Sequence, residues 1–154
     1  MIVRAINIRA PWTHFITQLG GPIAKNIENR TWRLRGDRGE PYTGPLVIVA
    51  SATCSREEHE EACTFAVWTG VPASLLPAYD ELELGGIVGA THVTGYVEPH
   101  GQGGGPWHVP GNVGWKLERS IALPFRRYSG KQGPFRIELT PAEVDALRLA
   151  KLAA

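Results

Sequence analysis

Residues 46–50 read Leu-Val-Ile-Val-Ala, five successive apolar side chains preceded by Gly44-Pro45 and followed by Ser51. A strand points alternate side chains to opposite faces, so a run with no polar member has no face to give to water. Such a segment belongs at the centre of a sheet, and the rest of the chain must supply its covers. Strand character recurs in IVRAINI (residues 2–8), in GGIVGATHVTGYV (85–97), and in WKLERSIAL and GPFRIEL (115–123 and 133–139), the last two joined by a basic loop. The glycines of the 85–97 segment mark bulges or a bend. Three helices are expected between and after these strands. In the first, Pro11 suits the first turn, Trp12, Phe15, Ile16 and Leu19 follow at helical spacing, and Gly20 and Gly21 stop it. The second opens on a capping box, Ser55 with Glu58, buries Ala62, Phe65 and Ala66, and ends at Gly70 and Pro72. The third spans about residues 140–152, with Thr140 as N-cap, Pro141 at N1 and Glu143 at N3. Five to six curved strands with flanking helices describe an α+β chain, a small mixed β-barrel, in one domain over residues 1–154.

No apolar run approaches the roughly 18 residues of a membrane span. The start, MIVRAINIRAPW, lacks the parts of a signal peptide, so a cytoplasmic protein with no membrane partner is expected. The two cysteines, Cys54 and Cys63, match no zinc spacing, so neither a metal nor a cofactor is expected.

The net charge of +1 hides a pattern. Residues 25–38 carry Lys25, Arg30, Arg33, Arg35 and Arg38 against Glu28 and Asp37. Residues 116–136 carry Lys116, Arg119, Arg126, Arg127, Lys131 and Arg136 against Glu118, and residues 55–83 are acidic. If the basic segments meet they form one anion-attracting patch; otherwise they are solvated charges. Residues 99–114 are too rich in Gly and Pro for regular structure, and a loop of that length is functional or mobile. They lack the Gly-Lys-Ser/Thr ending of a phosphate-binding loop.

The stretch KNIENRTWRLR (25–35) is β-like, yet neither of its alternating faces is apolar. Extended to Trp32, the alternation puts Glu28, Arg30 and Trp32 on one face: an anion, a cation and a π surface. Those groups suit a nucleotide, because Arg grips phosphate or stacks, Trp stacks, and a carboxylate accepts from an exocyclic amine. The same residues also suit an ion pair that fixes a wall, with Trp32 in the core. Trp12 is read as core rather than ligand contact. Trp107, in the Gly-rich loop with His108, either closes over a ligand or anchors the loop.

In order along the chain, IRAPWTHFI, KNIENRTW, GPLVIVAS, GGIVGATHVTGY, GWKLE and GKQGPFRIEL resemble the ASCH domain, named for homology to activating signal cointegrator, over about residues 6–139. Lys25, Glu28 and Arg30 match the signature Gly-x-Lys-x-x-Glu-x-Arg, whereas the glycine, Gly21, lies four residues before the lysine instead of two. Trp32 and the Pro11-Trp12 pair resemble the cointegrator-like branch. The resemblance implies a PUA-like barrel whose cleft binds RNA, DNA or a modified base, with Lys25, Glu28, Arg30 and Trp32 on one wall and Trp115 and Lys131 on the other. Arg9, just before the Pro11-Trp12 pair, is a candidate for the rim, and Trp107 for the loop over the cleft. In relatives that hydrolyse N-acetylcytidine a threonine nucleophile stands where Glu28 stands here, and a carboxylate does not repeat that acyl transfer. Thr31 should point to the opposite face. The expected function is a nucleic-acid-binding module for RNA, DNA or a nucleotide. The alternatives are a small hydrolase acting on RNA or a modified nucleoside, with Lys25 and Glu28 as its catalytic acid–base pair, and a domain whose Gly-rich loop meets a protein partner.

Overall fold

The computed structural model describes residues 1–153. Its centre is the segment that opened the sequence analysis. Strand β3 (Gly44–Ala50) buries Val47 and Val49 in one apolar cluster and Leu46, Ile48 and Ala50 in another. Both faces are therefore covered, and each such valine, leucine or isoleucine contributes about 1.5–3 kcal/mol by leaving water.

Around β3 lie β1 (Ile2–Ile8), β2 (Ile27–Arg30), β4 (Gly86–Val97), β5 (Val113–Arg127) and β6 (Phe135–Glu138), in the sheet order β2-β5-β4-β3-β1-β6. The β1–β3 pair is parallel and the other pairs are antiparallel. A parallel pair needs a long crossover. Residues 9–43 supply it and carry helix α1 (Trp12–Thr17) and strand β2. The sheet is mixed and the fold α+β, as expected, but the terminal strands β2 and β6 do not pair and the sheet is not closed into a barrel.

Helix α3 (Pro141–Leu149) covers one face through Leu147, and α1 covers the other through Ile16. A third cluster joins Phe15 of α1, Ile27 of β2, Ala62 and Ala66 of helix α2 (Arg56–Thr69), and Trp107. At the α2 cap Ser55 accepts from the Glu58 N–H, and the Glu58 carboxylate also pairs through Oε2 with Arg9 at 2.7 Å. Glycine-marked irregularity in β4 is present as register shifts against β5 at Ile87/Gly89, Ala90/His92 and Val93/Gly95. No helix among the described residues is long and apolar enough to cross a membrane.

Candidate functional site

Beside β1 and β2 opens a cavity of about 720 Å³, within the usual range of small-ligand sites. Its floor is Lys25, Glu28 and Arg30. A 3₁₀ turn, Gly21–Ile23, precedes Lys25, whose N–H donates to the Phe15 carbonyl at 2.8 Å. This contact fixes the main chain of Lys25 against α1. Its Nζ donates to the Ile27 carbonyl and to Glu28 Oε1, the latter at 3.2 Å. Glu28 Oε2 accepts from Arg30 Nε at 2.9 Å, and Arg30 Nη2 donates to the Asn7 carbonyl at 2.9 Å. Lys25 is 3% and Glu28 7% exposed. Burial pushes the Lys25 ammonium below its ordinary value, with Arg30 adding to the effect and Glu28 opposing it. Two cations thus share one carboxylate, and the floor carries a formal excess of one positive charge.

The aromatic wall is Trp12, packed edge-on against Phe15 and Phe65 with ring centroids 5.8 and 5.7 Å away. The Lys25 ammonium lies 5.7 Å from the Trp12 ring centroid, within cation–π range. Arg9 and Lys131, both exposed, stand on the lining with Lys25 and Arg30, so members of both basic segments reach the same cavity. Most of the remaining charge is consumed elsewhere: Arg33 pairs with Glu98, Arg126 with Glu143, and Arg4 and Arg136 with Asp37.

Three tryptophans expected at the site lie away from its lining. Strand β2 stops at Arg30, so the alternation that would place Trp32 beside Glu28 and Arg30 does not extend that far. Trp32 packs edge-on against Trp115 at 5.1 Å. Trp115 is fully buried and donates its indole N–H to the Trp32 carbonyl at 2.8 Å. Its ring lies 5.6 Å from the Arg30 guanidinium, so it supports the arginine from behind instead of lining the opposite wall. Trp107, 2% exposed, packs with Phe15 and Phe65 and anchors its loop. The Asn29 amide secures the same loop, donating to the Trp107 carbonyl and accepting from the Val109 N–H, both at 2.9 Å. Thr31 is exposed and does not line the cavity.

Trp12, read as core, does pack against two apolar clusters, and its half-covered side chain also lines the cavity. Asn7, which the sequence reading did not single out, lines it too. Asn7 had a usable signal, a lone amide between Ile6 and Ile8 in a strand.

Among the described residues no group of three or more His, Cys, Asp or Glu side chains is placed to hold a metal. Cys54 and Cys63 are free, and burial pushes both thiols up, away from the thiolate a metal would need. No protein-family model matches the chain, and no curated protein matches it. The geometry of the cavity is therefore the ground for its functional assignment.

Proposed function

We propose that the chain is a nucleic-acid-binding module, ASCH-like with the open mixed sheet as its PUA-like scaffold, which takes one unstacked base of single-stranded or locally opened RNA or DNA into this cavity. One observation carries the reading: the Trp12 indole and the Lys25–Glu28–Arg30 triad line the same cavity. An aromatic wall supplies sequence-tolerant stacking worth about 1–3 kcal/mol per base. Polar groups on the floor meet the base edge, and the exposed cations Lys131 and Arg9 meet flanking phosphates, Arg9 by exchanging its surface ion pair with Glu58 for the phosphate. Lys25 is excluded from that last role, because its ammonium is buried and already donates to a carbonyl and a carboxylate.

The test is a titration of labelled RNA and DNA single strands at low salt. Binding that weakens with salt, and weakens further in Trp12→Leu and Arg30→Met, is expected. No binding of either strand overturns the proposal.

A hydrolase is the second reading, favoured by the lowered pKa of Lys25 beside a carboxylate. Against it, both Glu28 oxygens already accept from cations. Turnover of RNA or an acylated cytidine that disappears in Glu28→Gln would establish it. No turnover leaves the binding module.

A further inference from the structure

Among the described residues, one buried side-chain atom on the lining of this cavity has no hydrogen-bond partner. Asn7 Oδ1 is buried without a hydrogen-bond partner, while Nδ2 of the same amide donates to the Ser51 hydroxyl at 2.8 Å. Buried carbonyl oxygens are nearly always paired, so an orphan on a cavity wall is an acceptor held for something that enters. Its neighbour is a donor. The Arg30 guanidinium gives Nη2 to the main-chain carbonyl of Asn7 and Nε to Glu28, which leaves three of its five N–H groups for a ligand in the same cavity.

We propose that Asn7 Oδ1 and Arg30 together read the pairing edge of the bound base, so that the cavity accepts a base only when that edge is unpaired and carries its N–H. The proposal rests on the base-binding function above. An acceptor beside a donor is complementary to a donor beside an acceptor. Every natural base sets these side by side on its pairing edge: the amine and N1 of adenine, the amine and N3 of cytosine, N1–H and O6 of guanine, N3–H and O4 of uracil. In a duplex the partner base occupies both positions. Methylation at N3 of uracil or N1 of guanine removes the donor and leaves Asn7 Oδ1 buried and unpaired, a penalty that makes such a site reject the altered base. One adjacent residue is fitted to this arrangement. A Cβ on Gly130 would lie 2.4 Å from Asn7 Oδ1, inside contact distance, so any side chain there closes over the acceptor or pushes the amide aside.

The test uses labelled single strands of abasic nucleotides carrying one central uridine, N3-methyluridine or 5-methyluridine, on RNA and on DNA backbones, with a base-free strand as reference. Uridine and 5-methyluridine should bind about equally, and N3-methyluridine about tenfold more weakly. Asn7→Ala removes the acceptor and opens room for the methyl group, which should bring the uridine to N3-methyluridine ratio to about one. Gly130→Ala, in an exposed loop with Asn7 intact, should do the same. If Asn7→Ala does not fold, Gly130→Ala decides. Equal wild-type affinity for uridine and N3-methyluridine, both above the base-free strand, overturns this inference and leaves the base-binding function standing. A ratio unchanged in Gly130→Ala also overturns it. Binding no tighter than the base-free strand for all three overturns the base-binding function itself.

Discussion

Glu28 and Glu143 are both buried carboxylates that face an arginine, and they are built in opposite ways. Glu143 is closed: Arg126 donates to its two oxygens through Nε and Nη2 at 3.0 and 2.8 Å, and the Thr140 N–H adds a third bond at 2.9 Å as part of the α3 capping box. One cation meets one anion, the geometry is bidentate, and neither residue lines the main cavity. Glu28 is split between two cations, one per oxygen, beside an open cavity and an unpartnered amide oxygen. The same pair of residue types makes a clasp in one place and a site in the other. What separates them is whether the surrounding groups use up each other's bonding capacity.

The largest effect is expected at Glu28. Glu28→Ala leaves two cations together at the cavity floor with no counter-charge, and removal of one partner from such a buried pair costs about 3–5 kcal/mol, measured by urea unfolding. Glu143→Ala should cost less, about 1.5–3 kcal/mol, because Arg126 is partly exposed and can rehydrate. Equal losses would break the contrast. Glu143 also sets a pH signature. Burial alone would raise its pKa, but the bonds from Arg126 and Thr140 outweigh burial and hold it below 4.5. A depressed carboxylate stabilises the fold fully above its unfolded pKa. Its contribution is lost as pH falls from about 4.5 through the lower folded value, so acid unfolding of Glu143→Gln should lack that component.

Trp12→Leu keeps an apolar side chain on the wall and removes the stacking surface; base affinity should fall by about 1–3 kcal/mol in the strand titration. Smallest is Lys131→Ala, which should leave urea unfolding unchanged and lower the slope of log affinity against log salt by about one.

The fold was legible where one segment settled its own state. The β3 run required two covered faces, and Ser55 and Gly70 bracketed α2 within a residue of its observed ends. Misreadings arose where a distant partner decides. Glu58 was assigned to its own helix cap alone, and Arg9, just after β1, pairs with it as well. Strand β5 was expected to end near Leu123 but runs through Pro124 to Arg127. Proline is tolerated there because β2 pairs only with residues 113–116, leaving that edge of β5 without a ladder, and the β4 register shifts on the other side. At the site, Lys25, Glu28 and Arg30 were legible as a charged cluster. Which tryptophan would face it was not, since Trp12, Trp32, Trp107 and Trp115 differ only in what packs behind them. No local spacing encodes that.

Strand β5 carries both halves of the contrast. Near its start Trp115 pairs across from Glu28, and near its end Arg126 holds Glu143. A single 15-residue strand, laddered to β4 along most of its length, gives the two regions a common beam. Amide exchange on β5 should therefore be slowest at residues 114–116, laddered on both sides, and slow beyond them only at amides that face β4, with α3 fraying independently at the far end, so that loosening the C-terminal clasp leaves the shape of the cavity unchanged.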